Sequence, residues 1–261
     1  MKKRLIVITT YFLLLTMYLI PGAIAEENKG TPKPQTALTE YFSDDFDGED
    51  LKKEWEVINP NDEQIIVEDG SLLMLSTKPG SIKGENIENL LRLSKPLPKG
   101  DWTITAKFTI EYQTWREHLR LGLYDDKDNW IIAENYIAGN YDRIACRTRK
   151  SAKGQESSFE ENLAHINTNH DRKFLDSHSK PQYLRLRKQG RNYVVSGKFD
   201  DQENWLELQK LTALRAKGNL IIGFSLYDKV AGESFVMIDW IKIEVPKSWS
   251  KIKVPKKSSD N

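Results

Sequence analysis

The sequence predicts an all-β fold, a two-sheet antiparallel sandwich, and three observations carry that prediction. Apolar and polar residues alternate with period two, as where Leu119, Leu121 and Leu123 interleave with Arg120, Gly122 and Tyr124. Stretches rich in β-branched and aromatic residues recur between clusters of turn residues. No long stretch shows the apolar spacing of an amphipathic helix.

The elements follow in order. Lys2, Lys3 and Arg4 precede an apolar run over residues 5–20, and Ala23 and Ala25 offer small residues at a cleavage site. This pattern is expected of a secretory signal peptide, residues 1–25, and of an exported protein, periplasmic or extracellular. An uncleaved anchor is the rival reading, but the run is shorter than the roughly 20 residues a span needs. No stable membrane span is expected after cleavage. Residues 26–38 are polar, carry Gly30, Pro32 and Pro34, and are expected to form a flexible spacer. The folded domain is assigned to residues 39–247. Within it, strands are expected around Phe42 and at residues 71–75 and 102–111. Residues 119–124 and 130–137 form a hairpin about the turn cluster Asp125-Asp-Lys-Asp-Asn129. Residues 183–188 and 192–198 form another about Gly190, and 205–211, 220–227 and 234–245 complete the set. Residues 150–180 are polar and aperiodic, an unusually long loop for such a domain, with a short helix expected at 157–166. Residues 248–261 are rich in Lys and Ser and are expected to be a disordered basic tail.

Composition narrows the partners. Removing residues 1–25 takes the formal net charge from +1 to −2, so overall charge points to neither nucleic acid nor a membrane surface. Cys146 is the only cysteine, so no intramolecular disulfide forms and stability rests on a hydrophobic core. Cys146 shares a strand with Ile144 and is expected to be a small buried hydrophobe.

Phe42-Ser-Asp-Asp-Phe-Asp-Gly48, Trp55, Asp69-Gly-Ser-Leu-Leu-Met-Leu75 and Met237-Ile-Asp-Trp-Ile-Lys-Ile-Glu-Val245 together resemble the concanavalin A-like lectin and glucanase superfamily. The likeness extends over residues 41–245 and is greatest to laminarinase-type family 16 glucanases and related lectin-like domains. It implies a jelly-roll sandwich whose first and last strands are neighbours. It also implies a structural Ca²⁺ ion held by the main-chain carbonyls of Asp45 and Gly70 and the Asp239 carboxylate, an oxygen-only set of the kind Ca²⁺ takes. The alternative is that Asp239 bonds a neighbouring strand and that Asp45 is a turn residue. The catalytic triplet of family 16, Glu-x-Asp-x-Glu on one strand, is missing. Glu134 stands alone in the corresponding stretch, so the carboxylate-pair mechanism of that family is unsupported.

Other residues suggest a ligand face. Arg116, His118 and Arg120 share one parity, Arg143, Arg147 and Arg149 another, and Arg185 and Arg187 a third. If these strands are neighbours they build one Arg-rich surface suited to carboxylate or sulfate groups. The plainer alternative is a solvated sheet face with the Arg residues paired to Glu117, Glu134 and Asp142. Trp115, Trp130, Tyr136 and Tyr141 lie on or near the same strands as stacking candidates, whereas Trp55, Trp102, Trp205 and Trp240 follow packing positions. His165, His170 and His178 match no compact zinc-ligand spacing and are expected to be solvated.

The expected function is therefore an exported, non-catalytic glycan-binding protein, possible ligands being acidic saccharides. Arg120, Trp130, Glu134, Tyr136, Arg147 and Arg185 are its candidate contacts. A secreted hydrolase or lyase of the same fold, using Glu134, Tyr136, His118 and Arg120, is the alternative. A protein-binding adhesion or scaffold module is a third.

Overall fold

The computed structural model describes residues 37–113, 116–138, 141–150, 156–165, 179–212, 218–227 and 233–247. The expected signal peptide, most of the spacer, the basic tail, Trp115, His170 and His178 lie outside these residues.

Period-two alternation becomes strands in chain order. They are β1 (Leu38–Asp44), β2 (Trp55–Ile58), β3 (Ile65–Glu68), β4 (Ser71–Ser76), β5 (Leu90–Leu93), β6 (Trp102–Glu111), β7 (Glu117–Asp126) and β8 (Asn129–Ala138). Then come β9 (Tyr141–Lys150), β10 (Ser157–His165), β11 (Gln182–Gln189), β12 (Asn192–Phe199), β13 (Leu206–Glu207), β14 (Leu211–Thr212), β15 (Asn219–Leu226) and β16 (Ser234–Pro246).

The strands form two antiparallel sheets packed as a jelly-roll-like sandwich. The first sheet runs β13-β12-β11-β6-β16-β4-β3, with β1 also on β16 and β14 also on β12. The second runs β10-β9-β8-β7-β15-β5-β2. The terminal strands are neighbours as expected, Asp44 opposite Ile241 and Thr39 opposite Val245. The core lies between the sheets. Ile104, Phe108, Leu184, Leu186, Ile238 and Ile241 point into it from one side, and Leu119, Leu121, Ile131, Ile144, Leu220 and Phe224 from the other. Cys146 is buried there, and burial pushes its thiol up to about 12.

Two local expectations are corrected. The short helix expected at 157–166 is not formed over its described part: 157–165 are β10, paired with β9 from Ser157 opposite Thr148 to His165 opposite Tyr141. Phe159 and Leu163 pack on the core at strand spacing, and the open edge of β9 supplies the hydrogen-bond partners. Residues 205–211 form no continuous strand. β13 pairs near Gly197 and β14 near Tyr193 of β12, and between them the Leu208 N–H still donates to the Val195 carbonyl at 2.9 Å outside either strand.

Candidate functional site

Alternation sorts the middle of the second sheet into two faces. On β7, Leu119, Leu121 and Leu123 enter the core, so His118 and Arg120 point outward. On β8, Ile131, Ala133 and Ile137 enter the core, so Trp130, Ile132, Glu134 and Tyr136 point outward. The register places Arg120 opposite Glu134, His118 opposite Tyr136 and Arg147 opposite Ile132. On the other side of β7, β15 places Ser225 opposite His118.

A second wall comes from the β4–β5 connection. Gly80 N–H donates to the Leu226 carbonyl at 3.1 Å, and Ser225 Oγ donates to the Gly80 carbonyl at 3.0 Å. A Cβ at Gly80 would stand 2.9 Å from the Ser225 Cβ, so only glycine permits this approach. The result is a groove of about 670 Å³ lined by Gly80–Lys83, β7, β8 and Tyr227.

Glu134 is its buried centre, 3% exposed. Its Oε1 accepts from His118 Nδ1 at 2.8 Å and lies 2.9 Å from Arg120 Nε, and its Oε2 accepts from Arg147 Nε at 2.7 Å. Burial alone would push this carboxyl up. Arg120, His118 and Arg147 outweigh burial and hold it well below the usual carboxylate range. Burial lowers the Arg120 pKa, and Arg120 Nη1 donates to Ser225 Oγ at 2.6 Å.

His118 is the second notable group. A carboxylate only accepts, so the Nδ1 beside Glu134 carries the proton and Nε2 of the neutral ring carries the lone pair. Burial lowers the His118 pKa, the Glu134 carboxylate opposing it. The ring stacks between Tyr136, 5.0 Å away, and Tyr227, 5.4 Å away. Nε2 has no hydrogen-bond partner among the described residues, and His118 lines the groove. Arg120 also lines the groove, and its Nη2 has no hydrogen-bond partner among the described residues.

The structure thus brings Arg120, Trp130, Glu134, Tyr136 and Arg147 to one groove. Arg185 is the exception and corrects the expected face. Its strand β11 pairs with β6 and β12 in the first sheet. There its guanidinium covers the Trp205 ring at 3.8 Å and bonds Glu207 at 3.0 Å. Parity says which residues share a face of a strand, not which sheet the strand joins.

The aromatic candidates divide as well. Trp130 is buried against Ile82, Ile132 and Ile221 and donates its Nε1–H to the Lys127 carbonyl. Tyr136 donates to Glu160 at 2.5 Å, with its ring between His118 and Arg147. The open ring is Tyr227, 64% exposed, which is not among the aromatic candidates of the sequence. The expected acid partners also separate. Glu117 and Asp142 are buried with the core parity: Glu117 accepts from Ser234 Oγ, and Asp142 from Tyr112, Asn135 and Gln182.

Asp45, Gly70 and Asp239 do not line this groove. β4 and β1 lie end to end along β16, and the gap between them falls beside Asp239, since Ile238 faces Leu72 and Ile241 faces Asp44. Gly70 has φ +71° in the β3–β4 turn. The oxygens are of the kind Ca²⁺ takes, but Lys107 Nζ already stands 3.3 Å from the Asp239 carboxylate. A cation there competes with that ammonium. Among the described residues, no cluster of three His, Cys, Asp or Glu side chains is placed to hold a metal.

No family model matches the chain, and no curated protein matches it. Solved structures do. The GH43 BlXynB protein from Bacillus licheniformis aligns with TM-score 0.60 at 14% identity, over 80% of this chain and 40% of that one. Xylan β-1,4-xylosidase from Bacillus halodurans C-125 aligns with TM-score 0.57 at 14% identity, over 78% and 39%. The CBM2 module of Lactobacillus casei BL23 phage J-1 evolved Dit aligns with TM-score 0.53 at 9% identity, over 80% and 96%. The likeness shows the fold. This chain spans about 40% of the length of the two GH43 and xylosidase chains.

Proposed function

We propose that this chain is an exported carbohydrate-active protein whose groove turns over an acidic saccharide. The carrying observation is the His118–Glu134 pair in the groove lining, with Nδ1 committed to the carboxylate and Nε2 without a hydrogen-bond partner among the described residues. A neutral imidazole oriented by a carboxylate is a general base in waiting. Lys83, Arg116, Arg120 and Arg147 line the groove against Glu134 and Glu156, which favours an anionic ligand. The exposed Tyr227 ring offers a sugar a stacking surface. The GH43 and xylosidase neighbours support carbohydrate as the ligand class and weight the reading toward catalysis. The more specific concanavalin A-like assignment rests on the paired terminal strands.

Binding without turnover is the second reading. The closed ion-pairing of Glu134 favours it, and so does the CBM2 module, which the chain matches over nearly that module's whole length. Incubation with a panel of acidic and neutral polysaccharides, followed by chromatography of chain length, separates the two. Shortening of an acidic polymer is the expected result. Saturable binding with unchanged chain length transfers the groove to the second reading.

A structural Ca²⁺ ion at Asp45, Gly70 and Asp239 is a separate proposal, as is cleavage after Ala25, which N-terminal sequencing of the exported protein tests.

A further inference from the structure

We propose that the groove breaks uronic-acid saccharides by β-elimination, not by hydrolysis. This rests on the carbohydrate reading above and names its chemistry.

The carboxylates of the groove argue against hydrolysis first. Glycoside hydrolysis ordinarily needs two carboxyl groups across the bond, one of them protonated to serve as acid. The lining holds Glu134 and Glu156. Both oxygens of Glu134 are engaged by cations, and the group is held ionised. Glu156 sits at the rim, 2.5 Å from Lys83 Nζ and 3.6 Å from Arg149 Nη1. Neither is a free carboxylic acid, and neither is free to attack as a nucleophile.

The unpartnered atoms of the groove lining are of a different kind. His118 and Arg120 are only 6% and 5% exposed, yet both residues line the groove, and neither His118 Nε2 nor Arg120 Nη2 has a hydrogen-bond partner among the described residues. They lie on one face of β7 two residues apart, with Cα atoms about 7 Å from each other. A base beside a fixed guanidinium edge suits removal of a proton from the carbon next to a carboxylate. The guanidinium takes the carboxylate, and its charge stabilises the enolate that forms.

The step balances without an oxidant or a metal. His118 Nε2 takes the proton from C5 of the uronate, and the C5–H pair moves toward the carboxylate. That charge returns to form the C4–C5 double bond as the C4–O4 bond breaks. The departing O4 takes a proton from water, and His118 returns its own to solvent. The products are a new reducing end and a 4,5-unsaturated uronide. Glu134 is a positioning residue here, since it fixes the tautomer of His118 and the attitude of Arg120 and touches neither C5 nor O4.

The test uses the full exported chain with polygalacturonate, alginate and chondroitin, and with xylan and carboxyl-reduced polygalacturonate as neutral controls. Two signals are followed, ultraviolet absorbance of the conjugated unsaturated acid and new reducing ends. The two should rise together on at least one acidic polymer and stay flat on both controls. His118→Gln should lower the rate roughly 100-fold or more, and the wild-type rate should fall as pH drops and His118 takes up a proton. Reducing ends without absorbance mean hydrolysis, which overturns elimination and leaves the carbohydrate reading standing. Binding without either signal overturns elimination and supports the binding role. Neither binding nor cleavage on any polymer overturns both. The wild-type and carboxyl-reduced arms decide the matter even if His118→Gln does not fold.

Discussion

Glu134 and Asp142 are both buried carboxylates, yet their surroundings push them in opposite directions. Two guanidinium cations, Arg120 and Arg147, together with the hydrogen bond from His118, hold Glu134 ionised against burial. Asp142 has hydrogen bonds from Tyr112 at 2.9 Å, Asn135 at 2.8 Å and Gln182 at 3.2 Å but, among the described residues, no ion-pairing cation. Burial pushes its carboxyl up to about 6, although those bonds favour the charged form. Its folded value is raised, so its stabilising share is present at low pH and lost as pH rises through about 6. A shift from 3.8 to about 6 is worth at most roughly 3 kcal/mol, at 1.36 kcal/mol per unit. His118, whose pKa is lowered, works with the opposite sign and is the same in both proteins of the comparison. The stability difference between Asp142→Asn and wild type should therefore move in the variant's favour by about 1–3 kcal/mol between pH 4 and 7 in denaturant melts. A difference independent of pH would mean that Asp142 is ionised in the fold. Of these residues, Arg120, Glu134 and Arg147 were legible from parity, because alternation is a local property. Tyr227 and Ser225 were not, since β15 reaches β7 through a pairing about a hundred residues away in the chain.

Strands carry information of different quality. β7 and β8 announce themselves through Leu119, Leu121 and Leu123 and the turn after Asp126, and the hairpin stands where the pattern puts it. β10 is hidden because Glu160 and Glu161 break the alternation that Phe159 and Leu163 would otherwise show. Its conformation comes from the ladder of β9, which no local propensity records. The sheet that holds Arg185 is not legible for a related reason, since the pairing of β11 with β6 is set by the whole sandwich. Where β7 meets β8 the packing is close. A Cβ at Gly122 would stand 2.2 Å from the Ile131 carbonyl oxygen and 2.6 Å from the Ile132 Cα. These are backbone atoms and cannot swing aside. Gly122→Ala should cost about 1–3 kcal/mol in a urea melt, as overpacking does, and should disturb the groove because Arg120 and His118 lie two and four residues before it on the same face of β7. Wild-type stability in this variant would show that the two strands have room to part.

At the scale of the molecule, the sandwich was legible because many strands of one period leave few architectures open, and the short phrases at the two ends placed β1 beside β16. The calcium set follows from that frame, and Lys107 is the obstacle that only the structure reveals. If the ion binds, chelator should lower the melting temperature of wild type and leave Asp239→Ala unchanged, because a ligand bound to the native state alone stabilises by mass action. No chelator effect on wild type would leave Lys107 as the cation of that site. The central claim concerns the groove, and the most direct measurement is calorimetric titration of a uronic-acid oligosaccharide and its neutral counterpart into wild type and Tyr227→Ala. Tyr227 is exposed, so its removal spares the core while taking away one face of the His118 stack. The acidic sugar should bind saturably and more tightly than the neutral one, less so at high salt, and Tyr227→Ala should weaken it without lowering the melting temperature. Equal binding of the two sugars, no binding of either, or an unchanged affinity in Tyr227→Ala would contradict the assignment of this groove as the saccharide site.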